Sequence, residues 1–117
     1  MSKTNRELLE DLRQELLDIE SFTTGGEAEF MSDLRTQKAV IRSYEVIGEI
    51  VKRLPPALIE SNPQVDWRKL IGFRNFLVHN YDLIIMRYVW EAVEQLPALR
   101  AATEAMLASL PPEEDVL

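Results

Sequence analysis

The sequence predicts an all-α protein, an up-and-down bundle of four to five helices. Three observations carry that expectation. Apolar residues recur three and four positions apart along most of the chain, which places them on one face of a helix. No period-two alternation of strand length occurs, and no internal repeat or low-complexity tract is visible. Residue types that begin and end helices punctuate the apolar pattern at intervals of a helix length.

The first helix is expected over residues 5–21, where Leu8, Leu9, Leu12, Leu16, Leu17 and Ile19 form an apolar stripe. Thr4 followed by Glu7 has the spacing of a capping box. The charged face, with Glu7, Glu10, Asp11, Arg13, Glu15 and Asp18, reads as solvated surface, because only helical spacing gathers these acids. Gly25-Gly26 breaks the pattern, and residues 27–31 make a turn or short helix. Ser32 or Asp33 can cap a second long helix that runs to about Arg53, with Leu34, Val40, Ile41, Tyr44, Ile47, Ile50 and Val51 available for burial.

Pro55-Pro56 ends that helix. Because proline is tolerated in a first helical turn and not deeper, residues 55–61 fit only a short helix. Asn62-Pro63 marks a turn, and Asp66 can cap a third main helix from Trp67 to about Asn80. Asparagine is a residue type that tolerates the left-handed conformation at helix ends. A fourth helix is expected over residues 84–110 with an interruption near Pro97. Pro111-Pro112 and the acids Glu113, Glu114 and Asp115 read as a frayed end, which gives one helical domain over 1–110 and an acidic tail over 111–117.

Composition narrows the function. The 117 residues hold 13 Lys and Arg against 20 Asp and Glu, a net charge of −7, which argues against a generic nucleic-acid coat that works by counterion release. The imbalance is regional. Residues 66–100 carry five basic residues (Arg68, Lys69, Arg74, Arg87, Arg100) and four acidic ones (Asp66, Asp82, Glu91, Glu94), so any RNA site is confined there. An apolar share of 46% supports a packed core, though one of a size that often gains by dimerisation. The chain has no cysteine and one histidine, which excludes disulfides, thiolate sites and a multi-histidine zinc site within one chain. No metal or cofactor is expected. The N-terminus is polar and no apolar run approaches the roughly 20 residues of a spanning helix, so the chain fits a reducing cytoplasm.

The stretch that can carry chemistry is Ile71-Gly72-Phe73-Arg74-Asn75-Phe76-Leu77-Val78-His79-Asn80-Tyr81. On a continuous helix, Arg74, Asn75, His79 and Tyr81 fall within an arc of roughly 160°, with Leu70, Phe73, Phe76, Leu77 and Ile84 opposite. Ile71 and Val78 lie inside the polar arc, where they point to a face that packs against another molecule, such as a second copy of the chain. Histidine can take a proton from a ribose hydroxyl or return one to a leaving oxygen, and arginine can hold a phosphate and stabilise developing charge. Asn75 can donate to a phosphate oxygen or orient the imidazole. Together these groups offer metal-independent RNA cleavage. The plainer reading also stands: a lone histidine near a helix end serves as a cap or boundary residue, and Trp67, Phe73, Phe76, Tyr88 and Trp90 serve as core anchors.

The run from Arg74 to Tyr81 resembles the Arg-x-x-x-x-His-x-Tyr motif of HepT-like toxins, members of the HEPN superfamily of all-helical ribonucleases and nucleotide-associated domains. Gln37-Lys38-Ala39-Val40-Ile41-Arg42 and Glu45-Val46-Ile47-Gly48-Glu49 resemble the family's second long helix, and residues 63–67, Ile71-Gly72 and Val89-Trp90 also correspond. The similarity extends from about Leu9 to Leu107. It implies a HEPN-like homodimer with sites facing a cleft between the copies. It also implies an endoribonuclease toxin of a type II/VII-like toxin–antitoxin pair, neutralised by an MNT-type minimal nucleotidyltransferase antitoxin. Carried over by residue, Arg74 and His79 are catalytic, Asn75 supports them, and Tyr81 is the acceptor on which the antitoxin places AMP. The alternative is a non-catalytic dimeric module that docks the nucleotidyltransferase. Asn80 stands where the family often has glycine, and the following Asp82-Leu83-Ile84-Ile85 is unusually apolar and offers no acidic cap at Ile85.

Overall fold

The fold comes from a computed structural model that describes residues 2–112. The acidic residues Glu113, Glu114 and Asp115 of the expected tail lie outside the described residues. Among the described residues seven α-helices follow one another: α1 (Asn5–Phe22), α2 (Gly26–Ser32), α3 (Leu34–Arg53), α4 (Pro56–Glu60), α5 (Trp67–His79), α6 (Met86–Glu94) and α7 (Leu96–Ser109). A 3-10 turn, Tyr81–Leu83, joins α5 to α6. No strand occurs among the described residues. The bundle's long members are α1, α3, α5 and the α6–α7 pair; α2 and α4 are short connectors.

Local chemistry sets the helix starts. The Thr4 hydroxyl accepts the Glu7 N–H while the Glu7 carboxylate accepts the Thr4 N–H, so the capping box at α1 is complete. Asp33, rather than Ser32, caps α3 by accepting from the N–H groups of Arg35 and Thr36. Asp66 caps α5 by accepting from Lys69. Gly26 has a φ of 85°, the only left-handed residue among those described, and turns the chain out of α1. Pro97 falls in the first turn of α7, which is why the expected last helix is two segments meeting at Gln95.

The central helix is α3. It packs on α5 and α1 most extensively and also touches α2 and α6, while α7 lies along α1. Leu9, Leu12, Leu16 and Ile19 of α1 meet Val40, Ile47 and Val51 of α3 in a fully buried layer. Each such side chain contributes about 1.5–3 kcal/mol by leaving water. Gln37 is buried and donates its amide to the carbonyl oxygens of Phe30 and Met31, so α3 satisfies the end of α2. Ion pairs Arg13–Glu104 and Arg100–Glu20 tie α1 to α7. Among the described residues no helix is long and apolar enough to cross a membrane.

Candidate active site

α5 runs from the buried Trp67, whose indole N–H donates to the Asn62 carbonyl at 2.8 Å, to His79 at its last turn. What aims its side chains is the contact with α3. Leu77 is buried, Leu70 and Phe73 pack partly against the core, and the Phe73 ring meets Tyr44 edge-on with centroids 5.4 Å apart. Burial pushes the Tyr44 phenol well above its ordinary pKa.

Arg74 lies on the same buried side, directly over Gly48 of α3. A Cβ placed on Gly48 would come within 2.2 Å of Arg74 Cβ and 2.6 Å of its Cγ. The glycine is therefore the space into which the arginine stem fits. Arg74 Nη2 lies 2.5 Å from Glu49 Oε1, and Nη1 donates to Asn75 Oδ1 at 2.9 Å. The Glu49 contact is one of charge at short range: its angle is not that of a hydrogen bond. The Asn75 side-chain oxygen is thus turned toward the arginine. Nothing in the spacing of α3 shows which of its charged residues faces α5, so the sequence alone assigns Glu49 no role.

His79 is exposed and its ring makes no hydrogen bond or ion pair among the described residues. The next residue, Asn80, returns its N–H to the Phe76 carbonyl at 2.9 Å and has φ −132° and ψ 44°. The left-handed conformation that its residue type tolerates does not occur. Because α5 stops at His79, Tyr81 leaves the helical arc and stands on the 3-10 turn with 81% of its surface exposed. The structure therefore places Arg74, Asn75 and His79 in the C-terminal half of one helix, with Tyr81 two residues beyond its end.

Two expected core anchors are not buried. Phe76 is 43% exposed and Tyr88 61% exposed. The side of α5 that α3 covers is centred between Phe73 and Arg74, and Phe76 lies roughly 100° from that direction. Trp67 is buried and Trp90 packs against Phe30, as core residues should. Val78, Leu83 and Ile85 are also exposed, so an apolar surface borders the candidate catalytic groups. Among the described residues no cluster of His, Cys, Asp and Glu could hold a metal ion.

Comparison with known proteins identifies a family for the chain. Residues 12–106 match the family model described as Ribonuclease HepT-like. A protein of Methanocaldococcus jannaschii named "Putative RNase" is 44% identical over 92 residues, which span 78% of this chain and 76% of that protein. A Thermococcus cleftensis protein named "Probable ribonuclease HepT" is 34% identical over 108 residues, spanning 91% and 98% of the two chains. A third relative, a "Putative RNase" of Caldanaerobacter subterraneus subsp. tengcongensis, is 34% identical over 107 residues, or 90% of this chain and 96% of its own length. No solved structure matches the chain.

Proposed function

This chain belongs to the Ribonuclease HepT-like family, and on that premise we propose that it is a metal-independent endoribonuclease in which Arg74 and His79 cut RNA. The observation that carries the reading is the presence, in the C-terminal half of one helix, of an arginine held from two sides and a histidine ring free of partners among the described residues. His79 takes the proton of a ribose 2′-hydroxyl, and that oxygen attacks the adjacent phosphorus. The bond to the 5′-oxygen breaks, and the leaving oxygen takes a proton from an acid. Arg74 binds the non-bridging oxygens as their charge grows. No step needs a Lewis acid.

On one ideal helix Arg74 and His79 project about 140° apart. A second copy of the chain closing on this face brings another histidine to the same phosphate, so base and acid come from the two copies of a homodimer. The exposed Phe76 and Val78 beside the site support such a closure. Residues 1–110 act as the single functional domain, with 111–117 as its tail.

The protein serves as the toxin of a toxin–antitoxin pair in the cytoplasm, restrained by an MNT-type nucleotidyltransferase that places AMP on Tyr81. The exposure of the Tyr81 ring supports this reading. Added phosphate and nucleoside two residues from His79 put negative charge and bulk where RNA must lie. The second reading, a non-catalytic module that docks the transferase, draws on the same exposed Tyr81 and its apolar neighbours Leu83, Ile85 and Tyr88.

One set of assays separates them. Purified protein in the presence of a chelator should cut RNA, and His79→Ala or Arg74→Ala should slow cutting by about a hundredfold or more. An unchanged rate in His79→Ala sinks the catalytic assignment. Wild type that binds the transferase yet cuts no RNA establishes the docking module instead. Treatment with transferase and ATP should add one AMP at Tyr81 and stop cutting; AMP found elsewhere removes that role from Tyr81.

A further inference from the structure

We propose that Glu49 is a positioning residue that fixes the Arg74 guanidinium in the orientation needed for a phosphate. The proposal rests on the ribonuclease reading above for its consequence, and on geometry for its substance. Three contacts converge on this one side chain. Gly48 receives the stem, Glu49 Oε1 stands 2.5 Å from Nη2, and Asn75 Oδ1 accepts from Nη1 at 2.9 Å. Adjacent residues of α3 therefore set two different things: Gly48 where the stem lies, and Glu49 where the head points.

A surface arginine samples many rotamers, and few of them aim its fork at a given phosphate. Here the side chain is 22% exposed and its head is gripped at both terminal nitrogens. Guanidinium has five N–H donors. The Glu49 charge stands beside Nη2 and Asn75 accepts one N–H of Nη1, so each terminal nitrogen keeps an N–H for two oxygens of one phosphate, the bidentate arrangement that arginine favours. Asn75 cannot do this alone. It sits next to Arg74 on the same helix and moves with it, whereas Glu49 anchors the head to a different helix.

A carboxylate at this place could act in the opposite sense, by competing with phosphate for Arg74. The two roles give opposite results when the carboxylate is removed. A competitor, once deleted, leaves RNA bound more tightly and cut faster. A positioning residue, once deleted, leaves an arginine that still attracts RNA and stabilises the transition state poorly.

The test compares Glu49→Ala and Glu49→Gln in the full chain, with Arg74→Ala alongside. Glu49→Ala should lower kcat by about tenfold or more while KM changes little, since misplaced catalytic groups lose rate rather than encounter. Glu49→Gln keeps the shape but removes the charge that makes the contact, so it should lose kcat much as Glu49→Ala does. An unchanged or raised kcat in Glu49→Ala overturns the proposal. A second readout does not depend on RNA cutting: NMR of the Arg74 guanidinium should show slow rotation about Nε–Cζ in wild type, and fast rotation in both Glu49→Gln and Glu49→Ala. Equal rotation in all three overturns the proposal whatever the kinetics. Wild type that cuts no RNA, combined with rotation that speeds up in Glu49→Ala, fails the ribonuclease reading and leaves the hold of Glu49 on Arg74 standing.

Discussion

Burial holds the Glu15 carboxyl above its ordinary value of 4.5, with Asp18 and Asp11 pushing the same way and the Ser43 hydrogen bond and Arg42 opposing. A raised carboxyl keeps its proton longer in the folded protein than in the unfolded one. Its contribution to stability is therefore fully present below pH 4.5 and is lost as pH rises through the higher folded value. Asp33 has the opposite sign. The Thr36 hydroxyl and backbone N–H hold it below 3.8, so its contribution is present above that value and lost as pH falls through the folded one. Glu15→Gln removes the charge without removing the side chain. We expect the variant to unfold at higher urea than wild type at pH 7, with the difference shrinking at pH 4. Equal midpoint differences at both values would refute the assignment. In the sequence Glu15 is one more acid on the charged face of α1, and only its burial in the fold distinguishes it from Glu10 or Asp18.

At the scale of the element, the contact of α5 with α3 decides both stability and the site. Gly48→Ala isolates it. Alanine is favoured over glycine inside a helix by about 1 kcal/mol. Its Cβ, however, would lie 2.2 Å from Arg74 Cβ and 3.3 Å from the Leu70 carbonyl oxygen, atoms at or beside the backbone that move only if α5 moves. Overpacking of this kind costs about 1–3 kcal/mol. The expected outcome is a lower thermal midpoint with a larger loss of RNA cutting than the loss of folded protein explains, because the stem of Arg74 is what shifts. A more stable variant with full activity would show that the helices have room to spare. The same contact explains what could be read from the sequence. Caps at Thr4, Asp33 and Asp66 were legible because each bond spans three residues or fewer. The motif from Arg74 to His79 was legible because it lies within one helix. The exposure of Phe76 and Tyr88, the role of Glu49 and the direction of Asn75 were not, since each depends on which side of one helix another covers.

For the whole molecule, charge and apolar exposure have complementary distributions. Two chains of −7 repel, and the homodimer proposed above would form where that repulsion is least. Residues 66–100 hold nearly equal numbers of basic and acidic groups, and the same stretch contains Phe76, Val78, Tyr81, Leu83, Ile85 and Tyr88, six of the nine large apolar side chains left exposed among the described residues. A homodimer built on this surface places both copies of His79 near the contact and keeps the acidic remainder of each chain outward. Burial of apolar surface drives such an interface, while net charge opposes it, so salt should strengthen it by screening the repulsion. Sedimentation equilibrium should find dimers whose dissociation constant falls as sodium chloride rises from 50 to 300 mM, values of the order at which the Debye length drops below about 10 Å. Phe76→Asp should give monomers that remain helical, because the ring is not part of the core. Dimers that persist in Phe76→Asp, or that come apart as salt is added, would place the contact on a charged surface elsewhere and leave each His79 to work without a second one.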